Sequence, residues 1–180
     1  MPICMPQQTP FQGSRQAFLD GMRHVATSVT VVTTEGAAGR QGATVSAFSS
    51  VSADPPTVLV CLYSDSRICS AVRSNRIFTV SVLPEQLRNV ARVFSGEFDS
   101  ALVNRFDGIA LERFTGLAPG IGGASIFACT VAESIEQHTH TIVTGHVAHV
   151  VTARQPPLLY HRAAYGRFVP AQPPIAPESA

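Results

Sequence analysis

Residues 42–60 read GATVSAFSSVSADPPTVLV. Successive side chains of a strand point to opposite faces, so a strand through this stretch sets Thr44, Ser46, Phe48, Ser50 and Ser52 along one side. A core strand carries large aliphatics on its inner side, and a solvent-facing strand carries longer polar chains. Small hydroxyls in this pattern leave two readings open. Either they wall a site for a polar ligand that approaches the backbone closely, or they form a sheet face packed against another subunit. Phe48 reads either as the edge of such a site or as core. Pro55-Pro56 belongs at the entrance of the next strand, where missing amide donors do least harm.

The β signal continues on both sides. SVTVVTT at 28–34 is dominated by β-branched residues and reads as a strand. EGAAGRQG at 35–42 supplies turn residues, as a hairpin or as a loop that touches a ligand. PPTVLVCLY at 55–63, IFTVSVL at 77–83, ASIFACTVAESIE at 124–136 and HTIVTGHVAHVVT at 140–152 are further strand signals. Helical spacing is found in SRQAFLDGMRHV at 14–25, with Ser14 as cap and Phe18, Met22 and Val25 as the apolar side. SDSRICSAVRSN at 64–75 predicts a helix capped near Ser64 or Ser66. PEQLRNVARVF at 84–94 is the clearest helix: Pro84 and Glu85 suit its first turn, and Leu87, Val90, Ala91 and Phe94 make one face. The expectation is five to seven strands with two or three short helices. Alternating strands without βαβ spacing favour an antiparallel barrel over a parallel sheet.

The chain of 180 residues suits one domain, taken as 12–169, with residues 1–11 and 170–180 as flexible, Pro-containing termini. Hydrophobic residues make up 45% and charged residues 14%, and the net charge is +1. Thirteen Lys and Arg scattered among twelve Asp and Glu give no basic stripe, which argues against a nucleic-acid partner. So few charges are compatible with apolar surface buried between subunits. Cys4, Cys61, Cys69 and Cys129 have neither CxxC nor zinc-ribbon spacing and read as incidental thiols of a reducing compartment. No run of about twenty apolar residues suggests a membrane span, and no secretory signal is evident, so a cytoplasmic protein is the expectation.

GxGxxG, GxxxxGK[ST] and GxSxG are all missing from the sequence. The histidines are the other chemical signal: His138, His140, His146 and His149 fall within twelve residues, with His161 downstream. His138 and His140 have strand spacing and His146 keeps the same parity, the pattern of ligands to one metal. The other readings are one histidine beside a bound organic cofactor, or histidines that are structural or exposed.

Several segments in order resemble the short-chain flavin reductase family: FLDGMRHVATSVTVVTT, GATVSAFSSVSADPPTVLVCL, SNRIFTVSVL, ARVFSG, RFDG, HTHTIVTGHVAHV and PLLYHRAAYGRF, together spanning roughly 18–168. The resemblance implies a mainly β fold, the FMN-binding split barrel: an antiparallel Greek-key barrel with short flanking helices, paired as a homodimer. It implies NADH- or NADPH-dependent reduction of FMN or FAD by hydride transfer to the flavin N5, often to supply a separate flavin-dependent monooxygenase. By matching segments, Ser28, Val29 and Thr30 line one side of the flavin. Thr44, Ser46, Ala47, Phe48, Ser49 and Ser50 hold its ring and ribityl chain, and Ser64, Ser66 and Arg67 surround its phosphate. His140 takes the nicotinamide side as the catalytic residue, and Tyr165 lines the same pocket.

Three positions depart from the family pattern. Ser46-Ala47 stands where many relatives have Asn-Ser, a frequent Arg is replaced near Ser64, and His138 occupies the position of a usual Gly. Two alternatives follow from the residues themselves: a flavin-binding protein without efficient reductase activity, and a non-haem metal oxygenase built on the histidines.

Overall fold

Most elements form where local chemistry favours them. In the computed structural model, which describes residues 13–171, the Ser14 hydroxyl accepts the Ala17 amide at 3.1 Å and caps α1 (Arg15–Arg23). There follow β1 (Thr27–Ser28), β2 (Thr30–Thr34), β3 (Gln41–Val45), β4 (Phe48–Ala53), β5 (Pro56–Tyr63) and α2 (Arg67–Asn75). Next come β6 (Ile77–Val82), a 3-10 turn (Glu85–Leu87), α3 (Arg88–Phe94), β7 (Leu111–Glu112) and β8 (Gly120–Ile121). The chain continues through β9 (Ser125–Gln137), β10 (His140–Val151), β11 (Leu158–His161) and β12 (Ala164–Arg167). The termini expected to be flexible lie outside the described residues, apart from Pro170 and Ala171.

Three expectations change. The clearest helix begins as a 3-10 turn and becomes α-helical only at Arg88, with Ala91 and Phe94 as its buried residues. The α1 apolar side is not buried by this chain: Phe18, Met22 and Val25 are 57%, 51% and 49% exposed. The third change concerns the strand expected from 42 up to Pro55, which is not one strand. It breaks at Ser46-Ala47 into β3 and β4.

That break shapes the fold. Seven strands form one antiparallel sheet in the order β3-β2-β6-β9-β10-β5-β4, with β3 and β4 at opposite edges. A flat sheet would hold those edges roughly 29 Å apart, six spacings of about 4.8 Å. The two-residue link allows the Cα atoms of Val45 and Phe48 at most about 11 Å. The sheet must therefore roll. Accordingly Val32 of β2 meets Val58, Val60 and Leu62 of β5 in one core cluster, with Ile68, Cys69 and Val72 of α2 packed against it. The antiparallel part of the barrel expectation holds, but β3 and β4 do not pair and the sheet does not close. The short strands β1, β11 and β12 form a separate ribbon, and β7 pairs with β8.

Alternation along β2 sends Val31 to the other face, into a second cluster with Leu83, Ala91, Phe94, Phe106 and Ile126. Each fully buried side chain of this kind contributes about 1.5–3 kcal/mol. Gly42 sits where β3 passes under α3: a Cβ there would lie 2.6 Å from Phe94 Cε1 and 3.0 Å from Phe106 Cζ. Among the described residues no helix is long and apolar enough to cross a membrane.

Candidate functional site

Among the described residues β3 pairs with β2 alone, so the backbone of its other edge is open to a ligand. Three adjoining cavities run along it. The middle one, about 300 Å³, is lined by Thr44, Ser46, Ala47, Ser66 and His140, with Cys61 and Tyr63 of β5. A second, about 490 Å³, continues past Ala43, Ser66 and Arg67 to Arg40 and the segment of Asp99–Phe106. A third, about 530 Å³, opens from Thr44–Ser46 toward Val29, Glu97, Tyr160 and Tyr165.

Residues far apart in sequence meet here because the sheet rolls and α2 follows β5 directly. Ser66 caps α2, accepting the Cys69 amide at 3.3 Å while donating to the Tyr63 carbonyl at 2.5 Å. Of the two hydroxyls near the expected cap, Ser66 is the one used. Ser64 instead lies against Thr141, hydroxyl to hydroxyl at 2.9 Å. The positive end of the helix dipole thus faces the cavity junction, beside Arg67, which makes no ion pair among the described residues. Asp99 does not oppose this: Arg105 grips it at 2.7 Å and 2.5 Å, and that hydrogen bonding holds its carboxyl below the ordinary value.

His140 opens β10 and lines the same middle cavity, paired across the sheet with Tyr63, three residues before the Ser66 cap. Its Nδ1 lies 2.9 Å from the Thr139 hydroxyl, and its ring meets that of Tyr63 edge-on at 5.9 Å. Tyr165 packs edge-on to Tyr160 at 5.5 Å, with the Arg88 guanidinium 5.2 Å from its ring centre. Burial, then the neighbouring Tyr160 and Glu97, pushes the Tyr165 phenol above its ordinary pKa.

Of the residues expected at the site, Val29, Thr44, Ser46, Ala47, Ser66, Arg67, His140 and Tyr165 line the three cavities. Six do not. Thr30 is fully buried and donates its hydroxyl to the Val45 carbonyl at 2.5 Å. Ser28 pairs with Leu159 in the small ribbon. The Phe48 ring lies 5.6 Å from Phe127 and packs on the core, its other reading from the sequence. Ser49 and Ser50 are exposed on β4, and Ser64 is turned to Thr141. The Thr44 hydroxyl also has a structural role, donating to the Ala91 carbonyl of α3 at 2.6 Å.

Sequence reasoning missed Cys61 and Tyr63, which carry no motif and reach the groove only because β5 borders α2. It also assigned no role to Arg105 of the RFDG segment. That residue staples the loop to β3 and to the end of α3, donating to the carbonyls of Gly42 at 3.3 Å and Phe94 at 3.1 Å.

The histidines do not converge. His140 and His146 are six residues apart on one strand, roughly 20 Å, and His149 packs beside Phe114 at 4.8 Å. His138 is a turn residue with φ 53°, in the left-handed region that suits the glycine usual there. Among the described residues no three His, Cys, Asp or Glu side chains are grouped to hold a metal ion. The histidine-metal reading therefore lacks a donor set. What the groove does fit is a flat ligand with an anionic tail: Ala43, Ser46 and Ala47 are small enough to admit a ring to the open strand edge, and the α2 terminus receives the charge.

Similarity to known proteins points the same way. The FMN reductase (NADH) RutF of Bradyrhizobium diazoefficiens is 35% identical over 129 residues, covering 71% of this chain and 71% of that protein. The reductase component of the 4-nitrophenol 4-monooxygenase/4-nitrocatechol 2-monooxygenase of Rhodococcus opacus is 31% identical over 154 residues, covering 85% and 80%. The solved structure of the Streptomyces globisporus NADH:FAD oxidoreductase SgcE6 with NAD and FAD fragments superposes with a TM-score of 0.79 at 29% identity, covering 88% of this chain and 94% of that one. Residues 22–168 match the model of the flavin reductase like domain, and the chain belongs to that family.

Proposed function

We propose that this protein is an NAD(P)H:flavin oxidoreductase that reduces FMN or FAD and supplies the reduced flavin to a separate monooxygenase. The observation that carries this reading is the groove itself: an open strand edge with small side chains, an anion site at the α2 terminus and His140 lining the same middle cavity, in a chain of this family. The relatives named as FMN and FAD reductases, and as a monooxygenase reductase component, support it.

With both substrates bound, a hydride passes from C4 of the reduced nicotinamide to N5 of the flavin. The chain's part is to hold, orient and shield. Arg67 and the α2 terminus receive the flavin phosphate, and the small residues 43–47 let the ring approach the backbone. The free edge of β3 offers amides to negative charge developing on the ring. His140, steadied by Thr139 and Tyr63, positions the nicotinamide and need not move a proton. The rolled sheet is read as a split barrel over 12–169. A homodimer supplies the natural cover for the exposed Phe18, Met22 and Val25 face of α1. Free Cys61, Cys69 and Cys129 suit the cytoplasm.

The test is nicotinamide oxidation with the four pairs of NADH or NADPH and FMN or FAD, alongside flavin titration. His140→Ala is expected to lower turnover about three- to tenfold, the scale of one lost hydrogen bond, with flavin affinity unchanged. Intact hydride transfer in that variant removes His140 from the mechanism. Flavin binding without nicotinamide oxidation in the unaltered protein would favour a binding protein that is not a reductase.

A further inference from the structure

The cavity beyond the phosphate site is larger than the one at the ring end, about 490 Å³ against about 300 Å³. A flavin ending at its monophosphate would terminate at Arg67 and leave most of that space without a ligand. The walls there are mainly polar, with Arg40, Arg67 and Arg105 among them, and suit a flat, electron-rich group that follows an anionic link. The Arg40 guanidinium lies 4.7 Å from the Phe106 ring centre, and the side chain remains 30% exposed. A guanidinium backed by one aromatic face is a preformed platform for a second. Leu102 and Val103 line the same cavity, and Val103 is 103% exposed. An exposed aliphatic at a cavity wall gains by covering an apolar ring. The charges are also arranged for a diphosphate. Arg67 is unpaired among the described residues, while Asp99, the carboxylate on this wall, is neutralised by Arg105.

We propose that the groove selects FAD over FMN, with the adenosine seated against Arg40 and the wall of Leu102 and Val103, and Arg40 as the specificity-determining residue. This rests on the reading of the groove as a flavin site. It goes further by naming the flavin and the group that chooses it.

Fluorescence titration of the purified protein with FAD and with FMN, without nicotinamide, tests both levels. FAD is expected to bind about tenfold more tightly than FMN, the scale of one base–cation stack. Arg40→Ala should remove that advantage while leaving FMN affinity intact, so that FMN binding reports that the variant is folded. Arg40→Lys keeps the charge without the plane and should behave like Arg40→Ala. Val103→Asp, at a position too exposed to matter for folding, should weaken FAD alone. Equal affinity for the two flavins in the unaltered protein overturns the inference and leaves the flavin site standing. So does equal loss of both in Arg40→Ala, a preserved advantage in Arg40→Lys, or unchanged FAD affinity in Val103→Asp. If neither flavin binds, the reading of the groove as a flavin site fails, and the inference with it.

Discussion

β3 and β4 come from one stretch with one pattern of small hydroxyls, yet they lie at opposite edges of the sheet and do different work. On β3, Thr44 hydrogen-bonds α3, Gly42 admits Phe94, and the strand's free edge walls a groove. On β4, Ser49 and Ser50 face solvent away from the cavities, and Ser52 bonds only within its own turn, to the Asp54 carbonyl at 2.9 Å. The difference lies in what the rolled sheet brings opposite each strand. β3 is overlaid by α2 and α3, whereas among the described residues the outward face of β4 is largely exposed.

Substitutions paired across the two strands test this contrast. The largest effect is expected at Gly42. Gly42→Leu drives a side chain into Phe94 and Phe106 and should cost about 1–3 kcal/mol of stability or more in chemical denaturation. Ser50→Val should stay within about 0.5 kcal/mol, and similar losses for both would erase the contrast. Ser46→Phe fills the middle cavity and is expected to weaken flavin binding roughly five- to a hundredfold in a fluorescence titration. Ser49→Phe should leave the affinity where it was. Thr44→Val removes a donor from the Ala91 carbonyl and should cost about 1 kcal/mol. The Ser49 hydroxyl reaches only the adjacent Ser50 carbonyl at 3.2 Å, and Ser49→Ala should change stability by less than that.

The smallest effect belongs to acid. Arg105 joins β3 to the loop that carries Asp99, and its hydrogen bonds hold that carboxyl below its ordinary 3.8. The folded state therefore binds this proton less readily than the unfolded chain. The stabilisation is fully present above the ordinary value and is lost as pH falls through the lower folded one. Melting temperatures of the protein and of Asp99→Asn should differ modestly at neutral pH and converge as the pH falls below the ordinary carboxyl value. Curves that stay parallel would deny the pair any role in holding the β3 side together.

Much of this molecule was legible locally. Ser14 and Ser66 cap helices because a side-chain oxygen beside three free amides has that use in any fold. The main sheet follows from the strand signals except that the opening one divides into β3 and β4, and His140 and Arg67 were reached by resemblance and do line the groove. The short β7, β8, β11 and β12 were not foreseen, since two to four residues carry too little periodicity. Thr30 and Phe48 lie away from the three cavities, since a hydroxyl or a ring in the sequence does not say which face of a strand turns inward.

The sequence by itself determined an antiparallel β protein with two or three short helices, candidate helix caps, and the segments that bear the family's chemistry. These depend on contacts within a few residues, where propensity and capping decide. Only the tertiary structure decided that the opening stretch breaks at Ser46-Ala47, that its first half alone borders the groove, and that Cys61, Tyr63 and Arg40 stand beside it. Those outcomes depend on how far the sheet rolls. The roll follows from joining its two distant edges through two residues, while the shared core of Val32 with Val58, Val60 and Leu62 stabilises it across the inside of the rolled sheet.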